Sequence, residues 1–222
     1  MTSARPFDAV TSPAVAIRRS NVDTDMIIRI EKSILPPHTL GPYGFESLKM
    51  RDDGSPDPDC PLNDPRYAGA RILLADDNFG CGSSREAAVW ALAGMGIRCV
   101  IAPSFGDIFF NNCFQNGILP IRLSQAQMEA LFAACDSAQA LTVDLRNCAI
   151  TTAEGQNVLF AVDEAQRESL LTGSDEVDRT LEMDDDIRAW QQADRQRRPW
   201  VWTAQNRATT PAVFKAQFFQ RQ

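Results

Sequence analysis

Histidine is nearly absent from this chain: His38 stands alone among 222 residues. That leaves no imidazole for a Ser-His-Asp or Cys-His nucleophile beyond one loop side chain, and no pair of imidazoles for a zinc site. None of the six cysteines (Cys60, Cys81, Cys99, Cys113, Cys135, Cys148) falls in a C-x-x-C pair. Thiols so scattered, in a chain with 44% apolar residues, predict no disulfide framework and no iron–sulfur cluster held by this chain alone. The chain is expected to bind no metal. Basic residues are in deficit, 22 Lys and Arg against 29 Asp and Glu for a formal charge of −7, which excludes a typical nucleic-acid binder. No apolar run nears the ~18 residues of a membrane span, and Met1 to Pro6 lack the apolar stretch of a secretory signal. A cytoplasmic protein is expected, with no membrane or nucleic-acid partner.

What is present is a regular alternation. Ala14 to Ile17 reads as a short strand, followed by a polar turn, Asn21-Val22-Asp23-Thr24-Asp25, and the apolar Met26-Ile27-Ile28. From Ile34 to Arg66 the density of Pro, Gly and Asp predicts a long loop with no long helix, functional or mobile. The run Arg71 to Ala75 predicts a buried strand. A helix is expected from about Ser84 to Gly94, with Ala87, Trp90, Ala91 and Met95 on one face. A strand at Cys99–Ala102, a helix from Gly106 to Gln115 and a strand at Ile118–Ile121 continue the pattern. Strands alternating with short helices imply an α/β fold with a mostly parallel central sheet flanked by helices. Ser124 to Gln127 reads as a capping box opening a helix to about Cys135. Leu141–Leu145 and Val158–Val162 are expected to pair across the turn at Glu154-Gly155, with helices near 164–172 and 184–195. Residues 1–202 are read as one domain and 203–222, with Phe214, Phe218 and Phe219, as a tail that docks on a partner or is mobile.

The densest chemistry lies in Asn78-Phe79-Gly80-Cys81-Gly82-Ser83-Ser84-Arg85-Glu86, between a strand and a helix. Two glycines permit a tight turn and close approach of a ligand. A helix N-terminus, two hydroxyls and a guanidinium together suit a small polyanion at a strand's carboxyl end. The alternative needs no function: Ser83 is a natural N-cap, and Ser83-x-x-Glu86 a capping box. The loop is neither a dinucleotide fingerprint, since Arg85 stands at the third glycine position, nor a phosphate-binding P-loop. Asp23-Thr24-Asp25 reads as an Asx-turn and cap, or as carboxylates orienting a catalytic group or binding a hard cation. Cys81, without a histidine beside it, is expected to be a bystander. Asn111 and Asn112 either line the same crevice or cap turns. Phe105, Phe109, Phe110 and Phe114 are expected in the core.

Three segments carry a resemblance: Asn21 to Ile28, Asn78 to Glu86, and Ile101 to Asn112. Together they resemble, in order, the small subunits of 3-isopropylmalate dehydratases (isopropylmalate isomerases) of the aconitase superfamily, from about Val15 to Trp200. The resemblance implies a swivelling β/β/α domain like the C-terminal domain of aconitase. It implies a large-subunit partner holding a [4Fe–4S] cluster, with none bound by this chain. The implied reaction is dehydration and rehydration of 2-isopropylmalate through 2-isopropylmaleate to 3-isopropylmalate, in leucine biosynthesis, by a chain inactive alone. Ser83 matches the base that takes the carbon-bound proton, and Arg85 the arginine that holds a substrate carboxylate. Asp23, Thr24, Gly82 and Ser84 match substrate-binding positions. Ile34, Leu35, His38 and Thr39 match the loop that reads the substrate's side chain. Two departures bear on substrate: Ala87 stands where related chains carry histidine, and the 34–39 segment lacks their aromatic and basic residues. A paralogue acting on citramalate, dimethylmalate or homocitrate, and a non-catalytic anion-binding module, are the alternatives.

Overall fold

The computed structural model describes residues 6–174 and 176–202. β1 (Ala9–Ile17) leads through α1 (Thr24–Ile27) and α2 (Glu46–Lys49) to β2 (Ile72–Ala75). Then follow α3 (Glu86–Gly94), β3 (Cys99–Ala102), α4 (Asp107–Gln115), β4 (Leu119–Arg122) and α5 (Gln125–Asp136). β1 to β4 are parallel neighbours, with Ala14 opposite Ile72, Ile72 opposite Cys99 and Cys99 opposite Leu119. Every residue of β2 and β3 is buried, as it must be in parallel strands covered on both faces.

The period of two sorts these strands between two cores. Val15, Ile17, Leu73, Ala75, Val100 and Ala102 pack under α3 and the Phe109–Cys113 side of α4. Ala14, Ala16, Ile72, Leu74, Cys99 and Ile101 pack on the other face against Met128, Leu131, Phe132 and Cys135 of α5. The expected capping box of α5 is present: Ser124 accepts from the amide of Gln127, whose side chain reaches back to the Ser124 amide.

Beyond β1 the sheet continues antiparallel through β5 (Ala140–Asp144), β6 (Ala149–Thr152) and β7 (Asn157–Leu159), in the order β4-β3-β2-β1-β5-β6-β7. The expected pairing of 141–145 with 158–162 is corrected here. β6 lies between them, pairing Val143 with Ile150 on one side and Ile150 with Val158 on the other. The 149–152 run was too short to register as a strand, yet it is what the Glu154-Gly155 turn joins to β7. α6 (Glu164–Thr172), capped by Asp163, follows.

The 34–66 stretch is a succession of single turns packed on the core. Leu40 and Phe45 are fully buried, and 3₁₀ turns at Pro37–Thr39 and Gly41–Tyr43 precede α2. A Cβ on Gly41 would lie 2.4 Å from the carbonyl carbon and oxygen of Gly94, so backbone rests on backbone. This corrects the expectation that α3 buries one face. Ala87, Ala88, Val89, Ala91 and Leu92 are all buried, because the 37–43 turns cover its outer side.

The described residues from Glu176 to Trp202 belong to a separate unit. α7 (Glu176–Glu182), which the sequence did not signal, precedes α8 (Asp184–Arg197) and a 3₁₀ turn at Pro199–Trp202. There Asp194, 3% exposed, accepts from Arg198 Nε at 2.7 Å and from the Trp202 indole at 3.0 Å. The proposed 203–222 tail lies outside the described residues.

Candidate active site

Parallel strands place their carboxyl ends on one edge, and the loops after β1, β2 and β3 meet there. They are laced by backbone bonds. Asn21 N donates to Asp77 O at 2.9 Å, Gly80 N to Val22 O at 2.7 Å and Thr24 N to Cys81 O at 3.0 Å. On the other side Phe79 N donates to Ser104 O at 3.1 Å and Gly106 N to Phe79 O at 2.9 Å. Asn21 and Asn78, both at φ 58°, take the left-handed conformation that Asn tolerates best after Gly, and their side chains bond each other at 2.7 Å. The Ser104 hydroxyl donates to Asp77 and accepts from the Asn78 amide. Gly80 is required twice over: its φ is +71°, and a Cβ would fall 2.2 Å from the Phe109 ring.

The laced loops present Gly82, Ser83 and Ser84 to solvent. Thr24 fixes the backbone of this stretch, its hydroxyl donating to Ser83 O at 3.0 Å. The alternative reading of Ser83 as an N-cap does not hold: α3 begins at Glu86, Arg85 occupies the cap position, and no side chain caps the helix. Glu86 does not close a box with Ser83 but accepts from Asn116 Nδ2 at 2.9 Å. The local capping signal lost to a tertiary partner, so both the serine hydroxyl and the helix start remain uncommitted.

Arg85 is the focus of the local electrostatics. Its side chain is 15% exposed, and Nη2 contacts Asp25 at 2.5 Å and the Thr24 hydroxyl at 3.2 Å. That hydrogen bond is the main reason the Asp25 carboxyl sits below its ordinary value, with the guanidinium's charge adding to it against burial. Nε and Nη1 of Arg85 are buried and have no partner. A closed site does not ordinarily leave guanidinium donors unmade, since each costs about 1–3 kcal/mol. Asp23 caps α1, accepting from Met26 N at 2.8 Å, as its Asx-turn reading expected. Asp25, which the sequence grouped with Asp23 as a possible orienting carboxylate but which is not among the substrate-binding positions, is the residue that grips Arg85.

Beside Asp25 opens a shallow pocket of about 340 Å³ lined by Asp23, Asp25, Met26, Arg29, Ile30, Glu31 and Ser47. Of the 34–39 candidates, Ile34 is 87% exposed, His38 is exposed, and Leu35 and Thr39 are half-buried. Among the described residues, no hydrogen bond or ion pair joins these four to Ser83 or Arg85. Burial pushes the Cys81 thiol up, with the charge of Asp23 adding to it, the opposite of an activated nucleophile. Asn111 is exposed, and the Asn112 carbonyl accepts from Asn116. The four phenylalanines pack as expected: Phe109 meets Phe105 in a stack and Phe79 edge-on, and Phe110 meets Phe114. Among the described residues, no group of three or more His, Cys, Asp or Glu could hold a metal, and no helix is long and apolar enough to cross a membrane.

Residues 9–126 match the family model described as the aconitase C-terminal domain. The chain is 48% identical over 199 residues to the 3-isopropylmalate dehydratase small subunit of Rhodospirillum centenum, covering 88% of this chain and 98% of that one. It is 46% identical to the small subunit of Hahella chejuensis, covering 89% and 98%. Among solved structures it is similar to a 3-isopropylmalate dehydratase from Methanocaldococcus jannaschii, with a TM-score of 0.60 at 25% identity, over 82% of this chain and 99% of that one. At these identities, over nearly the full length of both partners, the chain belongs to the family of 3-isopropylmalate dehydratase small subunits, built on the aconitase C-terminal domain.

Proposed function

We propose that this chain is the small subunit of a cytoplasmic, heteromeric hydro-lyase that interconverts 2-isopropylmalate and 3-isopropylmalate by dehydration and rehydration. The observation that carries this is the pairing of an exposed serine, Ser83, with an arginine two residues on whose Nε and Nη1 lack acceptors. A substrate carboxylate is the acceptor Arg85 awaits, and the guanidinium holds it by directional, charge-assisted hydrogen bonds. Ser83 takes the proton from the neighbouring carbon. It does so as an alkoxide, which the positive charge of Arg85 and the uncapped start of α3 stabilise beforehand and which the gained proton converts to the neutral hydroxyl. Thr24 serves both, bonding Ser83 O and Arg85 Nη2. Nε and Nη1 are closed off in the chain alone, so the proposed carboxylate contact requires the surrounding loops to give way in the assembled enzyme.

Scattered and mostly buried thiols do not suit a cluster on this chain, so the [4Fe–4S] cluster is assigned to the large subunit. When bound there it supplies an open iron that assists departure of the substrate hydroxyl. The decisive experiment reconstitutes the two subunits and assays a panel of 2-alkylmalates. Isopropylmalate is expected to be the preferred substrate, and Ser83→Ala to lower kcat by ~10²–10⁴ with assembly intact. Arg85→Lys is expected to raise KM. A Ser83→Ala complex keeping more than about a tenth of the rate removes the serine as base. Preference for citramalate, dimethylmalate or homocitrate assigns the chain to a paralogous dehydratase, and assembly without turnover leaves an anion-binding module.

A further inference from the structure

Arg85 has a carboxylate as its immediate chain neighbour, Glu86, yet its spare donors remain unpaired. Glu86 is held instead by α4. Asn116, at the C-cap of that helix, donates from Nδ2 to Glu86 Oε1 at 2.9 Å and to the Asn112 carbonyl at 2.9 Å, and accepts at Oδ1 from the Trp90 indole at 3.0 Å. An indole N–H only donates, so Trp90 dictates which end of the amide faces it and turns Nδ2 toward Glu86. The Asn116 backbone is itself held, its N–H reaching the carbonyls of Asn112 and Cys113, with Gly117 at φ 69° ending the helix.

We propose that Asn116 is a positioning residue that holds the Glu86 carboxylate away from Arg85 and the start of α3, so that the guanidinium stays uncompensated for a substrate carboxylate. The reading rests on the proposed anion role of Arg85. Adjacent α-carbons are ~3.8 Å apart, so a released Glu86 competes with any incoming carboxylate for the same donors, at the effective concentration of a tethered ligand.

The signature is rescue by a second deletion. In the assembled enzyme, Asn116→Ala is expected to raise KM for isopropylmalate about tenfold with kcat changed less than about threefold. Adding Glu86→Ala is expected to return KM to within about threefold of wild type. Glu86→Ala alone should leave KM at or below the wild-type value. Should Asn116→Ala fail to fold, Trp90→Phe, which frees the amide to flip, is expected to show a smaller KM rise with the same rescue. Calorimetric binding of malate to the same complexes gives a readout independent of turnover and should follow the same pattern. If the double variant is as impaired as Asn116→Ala or worse, or if kcat falls while KM and malate affinity hold, the clasp is merely structural and the inference is overturned. A wild-type complex that fails to bind malate overturns it too. Malate binding that follows the pattern in a complex with no turnover of any 2-alkylmalate sinks the proposed reaction and leaves the clasp standing. Normal isopropylmalate turnover without the pattern does the reverse.

Discussion

Arg85 commits one nitrogen to Asp25 and Thr24 and leaves two without acceptors, and the proposed carboxylate-binding role rests on that division. The Asp25 side of the arrangement is testable through pH. Its carboxyl is depressed below 3.8 chiefly by the hydrogen bond from Arg85. Between the depressed value and 3.8 the unfolded chain carries a proton that the folded chain does not, so stability rises with pH across that window. The pair's contribution is therefore complete above 3.8 and lost as pH falls through the folded value. The gap in melting temperature between wild type and Asp25→Asn should be flat at neutral pH and narrow in acid; a gap that widens in acid contradicts the pairing. The sequence displayed Ser83, Arg85, Asp23 and Thr24 as candidates. It had no means of showing that Asp25 is the one that grips the guanidinium, because that contact joins loops 60 positions apart.

At the scale of elements, α3 shows local preference yielding to packing. Its Ser83-x-x-Glu86 signal offered a cap that does not form, and its one-sided apolar pattern predicted a single buried face where Ala87, Ala88, Val89, Ala91 and Leu92 are all buried. Both differences trace to distant chain: Asn116 removes Glu86, and the turns around Gly41 cover the outer face. The Gly41–Gly94 contact leaves no room for a side chain. Gly41→Ala should cost about 1–3 kcal/mol by overpacking, lowering the melting temperature by roughly 2–4 °C per kcal/mol in a domain of this size. An unchanged melt would mean the 37–43 turns are not seated on α3. The β6 strand was missed for a related reason: four residues, Ala149 to Thr152, carry too little pattern to outweigh the clearer runs flanking them.

For the whole molecule, the sheet separates support from function. The parallel half collects the loops after β1, β2 and β3 on one edge, while the antiparallel half extends the second core. Thiol reactivity reports whether this packing closes as described. Cys60, Cys99, Cys113 and Cys135 are buried, whereas Cys81 and Cys148 are half-open; burial pushes the Cys135 thiol up to about 11 and holds the Cys99 and Cys113 thiols well above their ordinary value. Native labelling with a maleimide should modify Cys81 and Cys148 only, with the other four reacting upon denaturation. Labelling of Cys99 or Cys113 in the native protein would mean the sheet is not covered as described.

Most of the order of strands and helices, the loop rich in glycine and serine, and the arginine that follows it were written locally, because periodicity, turn residues and side-chain chemistry act over a few positions. Which hydroxyl stays free, which carboxylate grips the arginine and which is held off were decided only when loops and helices far apart in sequence met. Those choices are hydrogen-bond exchanges between distant partners, to which no local pattern is sensitive.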